Sequence, residues 1–120
     1  MPGFKELFEA YGGDYATTMT RFMGNETMYR KFLTMLFQDE NLQKLGDAIA
    51  GGDLTAAFEA AHTLKGVTAN LGLTPFYEAV CAIVEPLRTK KEQDYTALYG
   101  AIQAEFHRAE ALQRSLAEAQ

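Results

Sequence analysis

Among the side chains of this chain that can do covalent chemistry near neutral pH, His62 has the most suggestive neighbours. In the stretch AAHTLKGVTANLG, residues 60–72, His62, Lys65, Gly66 and Ala69 fall at i, i+3, i+4 and i+7. On a helix that spacing is one stripe, turned away from the apolar Leu64 and Leu71. A neutral, accessible imidazole is a competent nucleophile at such pH. The lysine supplies positive charge within reach, and the small residues leave room for a group as large as phosphoryl. A glycine costs about 1 kcal/mol against alanine in a helix interior, so its place beside the histidine needs a reason. Clearance is one reason and close helix packing is another. Most surface histidines are idle, so the stripe alone leaves both readings open.

The remaining reactive side chains read as bland. His107, the second histidine, sits away from the apolar stripe of the last helix and is expected to be exposed and idle. Two histidines so far apart form no metal motif. Cys81 has no His, Lys or Arg at i±3 or i±4, and is expected to be a buried, inert thiol. A lone cysteine also makes no intramolecular disulfide.

The elements that must position His62 are helical. No sustained alternation of apolar and polar residues occurs, and glycine and proline fall at punctuating places. Phe4, Leu7, Phe8 and Tyr11 repeat at helical spacing before Gly12-Gly13, and Asp14 caps a short segment with Met19, Phe22 and Met23. Residues 1–24 are thus expected to form an N-terminal lid. Asn25 caps a long helix marked by Met28, Phe32, Met35, Leu42, Leu45 and Ile49, with a break point at Asp39-Glu40-Asn41. Asp53 opens the helix with Leu54, Ala57, Ala61, Leu64 and Leu71 inward, and Gly72 ends it. Thr74-Pro75 reads as an N-cap and first-turn proline for a helix burying Phe76, Val80, Ile83, Val84 and Leu87. Pro86 is expected to loosen its last turn. Asp94 starts a final helix carrying Leu98, Ile102, Ala109, Leu112 and Leu116. The sum is an all-α protein, an antiparallel four-helix up-and-down bundle over residues 25–119 within a single domain, 1–120.

The chain is long enough at 120 residues to bury a core without disulfides or metal. Eleven basic against sixteen acidic residues give a net charge of −5, which argues against nucleic acid or an anionic membrane as partner. There is no basic-then-apolar leader and no long apolar run, so a cytoplasmic protein is expected. No glycine-rich nucleotide loop is present, so the chain is not expected to phosphorylate itself from ATP.

The string AHTLKGVTANLGL resembles the signature of histidine-containing phosphotransfer (HPt) domains, a His-x-Leu-Lys-Gly core followed by small residues and a Leu-Gly pair. The helix order and length extend the resemblance over essentially the whole chain. It implies a phosphoryl carrier and not an enzyme. His62 would accept the phosphoryl group on Nε2 from a kinase or a receiver aspartate, and pass it to the aspartate of a response-regulator receiver domain. Lys65 would steady the phosphoryl oxygens and Gly66 would keep the approach open. The resemblance also implies that Mg²⁺ comes with the receiver, so no cofactor or metal is expected on this chain.

One position departs from the family pattern. Many members carry a polar residue on the next helix that hydrogen-bonds the imidazole Nδ1; here the count lands near Val84, with Glu85 adjacent. Glu85 is the candidate orienter, with water or backbone as the alternative. Ala69, Met19, Phe22, Met23 and Met28 are expected to border the docking site, since methionines make adaptable partner surfaces. A monomer is expected, and Met1 with a complete bundle fits a free-standing protein. The competing reading is a helical scaffold that binds a partner without phosphate chemistry.

Overall fold

The computed structural model describes residues 2–119, and every regular element among them is a helix. These are α1 (Phe4–Tyr11), α2 (Tyr15–Arg21), α3 (Glu26–Phe37), α4 (Asn41–Gly51), α5 (Leu54–Asn70), α6 (Thr74–Arg88) and α7 (Thr96–Glu118). Side-chain caps fix three of the starts. Asp14 accepts from the Thr17 amide, Asn25 from that of Met28, and Asp53 from that of Ala56. Each satisfies an amide that has no partner within its own helix.

The long helix expected from Asn25 is two helices, divided near the foreseen break. Asp39 Oδ1 accepts from both the amide and the side chain of Asn41 at 2.7 Å, which turns the chain out of α3 and into α4. Two helix starts differ from expectation. Thr74 is already helical, with Leu73 before it at the cap position and no side-chain cap bond. Asp94 precedes α7 rather than opening it; its Oδ1 accepts from the Thr96 amide at 2.9 Å. Pro86 is accommodated, since α6 runs through it to Arg88.

The helices pack in series: α4 lies against α5, α5 against α6, α6 against α7, and α7 against α3 and α1. Their buried faces hold the expected Phe76, Val80, Ile83, Val84 and Leu87 of α6, and Ile102, Ala109, Leu112 and Leu116 of α7. In α3 the buried stripe is Tyr29, Leu33 and Leu36, one residue out of phase with the expected Met28, Phe32 and Met35. Both stripes have helical spacing. The tyrosine decides between them, because its ring contacts Phe4, Phe8 and Phe22 while its hydroxyl donates to the Leu71 carbonyl oxygen at 2.6 Å. Burial pushes the Tyr29 hydroxyl far above its ordinary pKa, so it stays a donor at all pH values of interest. This contact ties α3 to the end of α5.

Two glycines allow close approaches. A Cβ on Gly46 of α4 would collide with the Tyr99 hydroxyl, which donates to the Leu42 carbonyl. Gly72, just past α5, has φ of +65° and lies against Thr18, so α2 can cross the end of α5. No helix among the described residues is long and apolar enough to cross a membrane.

Candidate functional site

α5 turns mostly small residues inward. Its buried face is Ala57, Ala60, Ala61, Leu64 and Thr68, which lets α4 and α6 lie close along it. Thr68 would bring an unsatisfied hydroxyl into that face, but its Oγ1 donates back to the Leu64 carbonyl at 2.8 Å. At the far end, Arg21 of α2 donates through Nη1 to the carbonyls of Ala69 and Asn70, both at 3.2 Å. The Ala69 carbonyl also accepts from the Gly72 amide, whereas that of Asn70 has no partner within α5, and the guanidinium complements the negative end of the helix. The helix that carries the histidine is therefore held along two sides and at its terminus.

On the outer face, His62, Gly66 and Ala69 are exposed and Lys65 is half-buried. A Cβ placed on Gly66 would meet nothing within 4 Å. Packing does not require this glycine, and of the two reasons left open by the sequence, clearance is the one the surroundings support. The His62 ring lies against Phe58, one turn earlier, with centroids 5.5 Å apart and planes 30° apart. Neither ring nitrogen of His62 has a hydrogen-bond partner among the described residues.

Glu85, the candidate orienter, turns elsewhere. Its Oε2 accepts from Arg88 Nε at 3.0 Å, and the adjacent Val84 is fully buried. His107 is exposed as expected, its Nδ1 lying 3.0 Å from Glu110 Oε1. Cys81 is half-buried rather than buried, because its position on α6 sits at the edge of the core stripe. No group of three His, Cys, Asp or Glu that could hold a metal ion occurs among the described residues.

The expected docking residues divide. Met19 and Phe22 are core, each only 4 % exposed, because α2 turns that face inward onto the bundle; as surface contacts they are corrected. Met28 is half-buried, and Met23 is 86 % exposed. Out-of-phase burial of α3 leaves Phe32 and Met35 exposed as well. They line a cavity of about 220 Å³ with Leu36, Asp39, Val67, Asn70 and Leu71, between α3 and α5. Val67 and Asn70 follow Gly66 on the neighbouring stripe of α5, so this apolar groove adjoins the histidine's face. The sequence signal for it was the surplus of large apolar residues in α3, more than one stripe can bury.

The model of the Hpt domain family matches residues 28–118, which begins within α3 and takes in α4 to α7. The chain belongs to the Hpt domain family. No curated protein and no solved structure matches it. Histidine phosphotransfer in phosphorelays is the general function of Hpt domains, which are phosphocarrier modules that interact with receiver domains and kinases.

Proposed function

We propose that this Hpt domain is the phosphoryl carrier of a two-component phosphorelay, with His62 as phosphoacceptor. In the transfer, the lone pair of His62 Nε2 attacks the phosphorus of a receiver's aspartyl phosphate. An N–P bond forms as the acyl P–O bond breaks, and the electron pair leaves on the aspartate carboxylate; the reverse step loads the next receiver. A kinase phosphohistidine is the other donor. Lys65 offsets negative charge on the phosphoryl oxygens, and the open space at Gly66 admits the group. The aspartate and its Mg²⁺ belong to the partner, so this chain supplies a nucleophile and its position.

The observation that carries the reading is the exposed His62 imidazole beside an uncrowded Gly66, on a helix braced by α4, α6 and Arg21. Met23, Phe32 and Met35 with the adjoining groove offer the receiver an apolar contact that its own apolar surface can cover. We read α3 and α4 together as one rod of an up-and-down four-helix bundle, with α1 and α2 as a lid over one end. A monomeric cytoplasmic carrier fits this architecture.

The test is incubation with a receiver domain carrying radiolabelled aspartyl phosphate. Label should appear on this chain in an acid-labile, base-stable form and map to the peptide holding His62. A chain that binds the receiver but takes no label would be a scaffold instead.

A further inference from the structure

A reactive imidazole gains from being held in one orientation, yet both ring nitrogens must stay available, one for the phosphoryl group and one for its proton. A hydrogen bond to Nδ1 is one device for this. The structure holds another. The Phe58 ring packs tilted beside the His62 ring, centroids 5.5 Å apart, which limits the room for rotation about χ1 and χ2 without a hydrogen bond to either nitrogen. An i, i+4 pair on an exposed helix face would by itself be loose. Phe58 is not loose, because the Arg88 guanidinium crosses from the last turn of α6 and sits over its ring, Cζ 5.2 Å from the centroid. Arg88 is held in turn by Glu85, through the 3.0 Å bond from Nε. The side chains make a line from α6 to the imidazole: Glu85, Arg88, Phe58, His62.

We propose that Phe58 is the positioning residue for His62, and that Glu85 and Arg88 act on the imidazole only by fixing the Phe58 ring. The proposal rests on His62 being the phosphoacceptor. It would give α6 a route to the histidine although Val84 offers no polar group. The order of importance follows from exposure. Arg88 and Glu85 have side chains 47 % and 65 % exposed, and an ion pair that open to water is weakly held. Their removal should matter less than that of the half-buried phenyl ring.

The experiment combines transfer kinetics with proton NMR of the unphosphorylated protein. Phe58→Leu should slow transfer at saturating phospho-receiver by about five- to tenfold, with receiver affinity unchanged within about twofold. The ring-current shift of the His62 carbon-bound protons should vanish with it. Phe58→Tyr should restore both rate and shift, and Arg88→Gln should produce a partial loss of each. Wild-type transfer in Phe58→Leu would overturn the proposal. So would a loss confined to receiver affinity, because Phe58 would then be a docking contact. Should Phe58→Leu fold poorly by circular dichroism, the surface variant Arg88→Gln decides, and unaltered shift and rate there would overturn it. Failure of the wild-type chain to take label would remove the phosphoacceptor reading, while the shifts would still report whether Phe58 orders the ring.

Discussion

Gly46 in α4 and Gly66 in α5 both stand inside helices, where glycine costs about 1 kcal/mol against alanine, and their surroundings are opposite. Beside Gly46 the space where a Cβ would be is taken by the Tyr99 hydroxyl; beside Gly66 there is nothing within 4 Å. The first glycine is explained by packing, since α7 needs it to bring Tyr99 onto the Leu42 carbonyl. The second has no structural beneficiary, and the helix bears its cost on the face that carries His62. A Cβ at Gly66 would touch nothing, so the packing leaves that face open, and the proposed transfer is what would use the opening; Gly100 of α7 is equally open and has no histidine beside it.

The largest break of this comparison is removal of the histidine that the empty space is proposed to serve. His62→Gln should keep the fold and abolish acceptance of label from a phosphorylated receiver, because an exposed side chain leaves without disturbing the core. His107→Gln should change neither, as His107 stands on α7 paired with Glu110 and without the Lys65 and Gly66 neighbours of His62. Acceptance that survived the first substitution and failed with the second would reverse the assignment.

Giving both glycines the same substitution separates packing from clearance. Gly66→Leu should block phosphotransfer by about a hundredfold or more, because the new side chain fills the approach to Nε2. Its midpoint in urea should stay level or rise, since leucine favours the helix by roughly 0.5–1 kcal/mol. Gly46→Leu should do the reverse. Overpacking against Tyr99 should cost about 1–3 kcal/mol, only partly offset by helix propensity, while the folded fraction transfers normally. Stability lost at Gly66, or transfer lost at Gly46, would collapse the distinction.

The same contrast marks what could be read from the sequence. The His62 stripe was legible because helical spacing alone places Lys65, Gly66 and Ala69 beside it, and the caps at Asp14, Asn25 and Asp53 were legible because capping is local chemistry. The phase of α3 was not. Tyr29 and Phe32 both sit on apolar stripes, and the tyrosine is selected for burial by contacts remote in sequence, the rings of Phe4 and Phe8 and a carbonyl forty-two residues away at Leu71. Met19 and Phe22 were misplaced for a like reason, since their burial depends on how α2 crosses the end of α5 over Gly72. Glu85 was found as a residue of interest from its position near Val84. Its Arg88 partner lies at i+3 on the same helix, but the proposed link onward to His62 was out of reach of periodicity, because it passes through a ring on another helix.

The smallest expected effect belongs to Lys65, whose proposed action is electrostatic and therefore graded. A phosphoryl group on His62 brings close to two negative charges, and an ammonium one turn along the helix offsets part of them. The side chain is half-buried, so water screens the interaction incompletely, but the site opens to solvent on the His62 side. Lys65→Ala should slow transfer several-fold to about tenfold and shorten the phosphohistidine lifetime, without eliminating either. Lys65→Glu should be worse than alanine, because repulsion replaces a missing attraction. At about 1 M salt the Debye length falls to roughly 3 Å, so the three rates should converge there. This sharpens the glycine comparison, since the block in Gly66→Leu is steric and should persist at high salt. Measured at low and high ionic strength, a salt-insensitive lysine defect would mean that Lys65 shapes the helix face, and equal rates throughout would mean that it points away from the phosphoryl group.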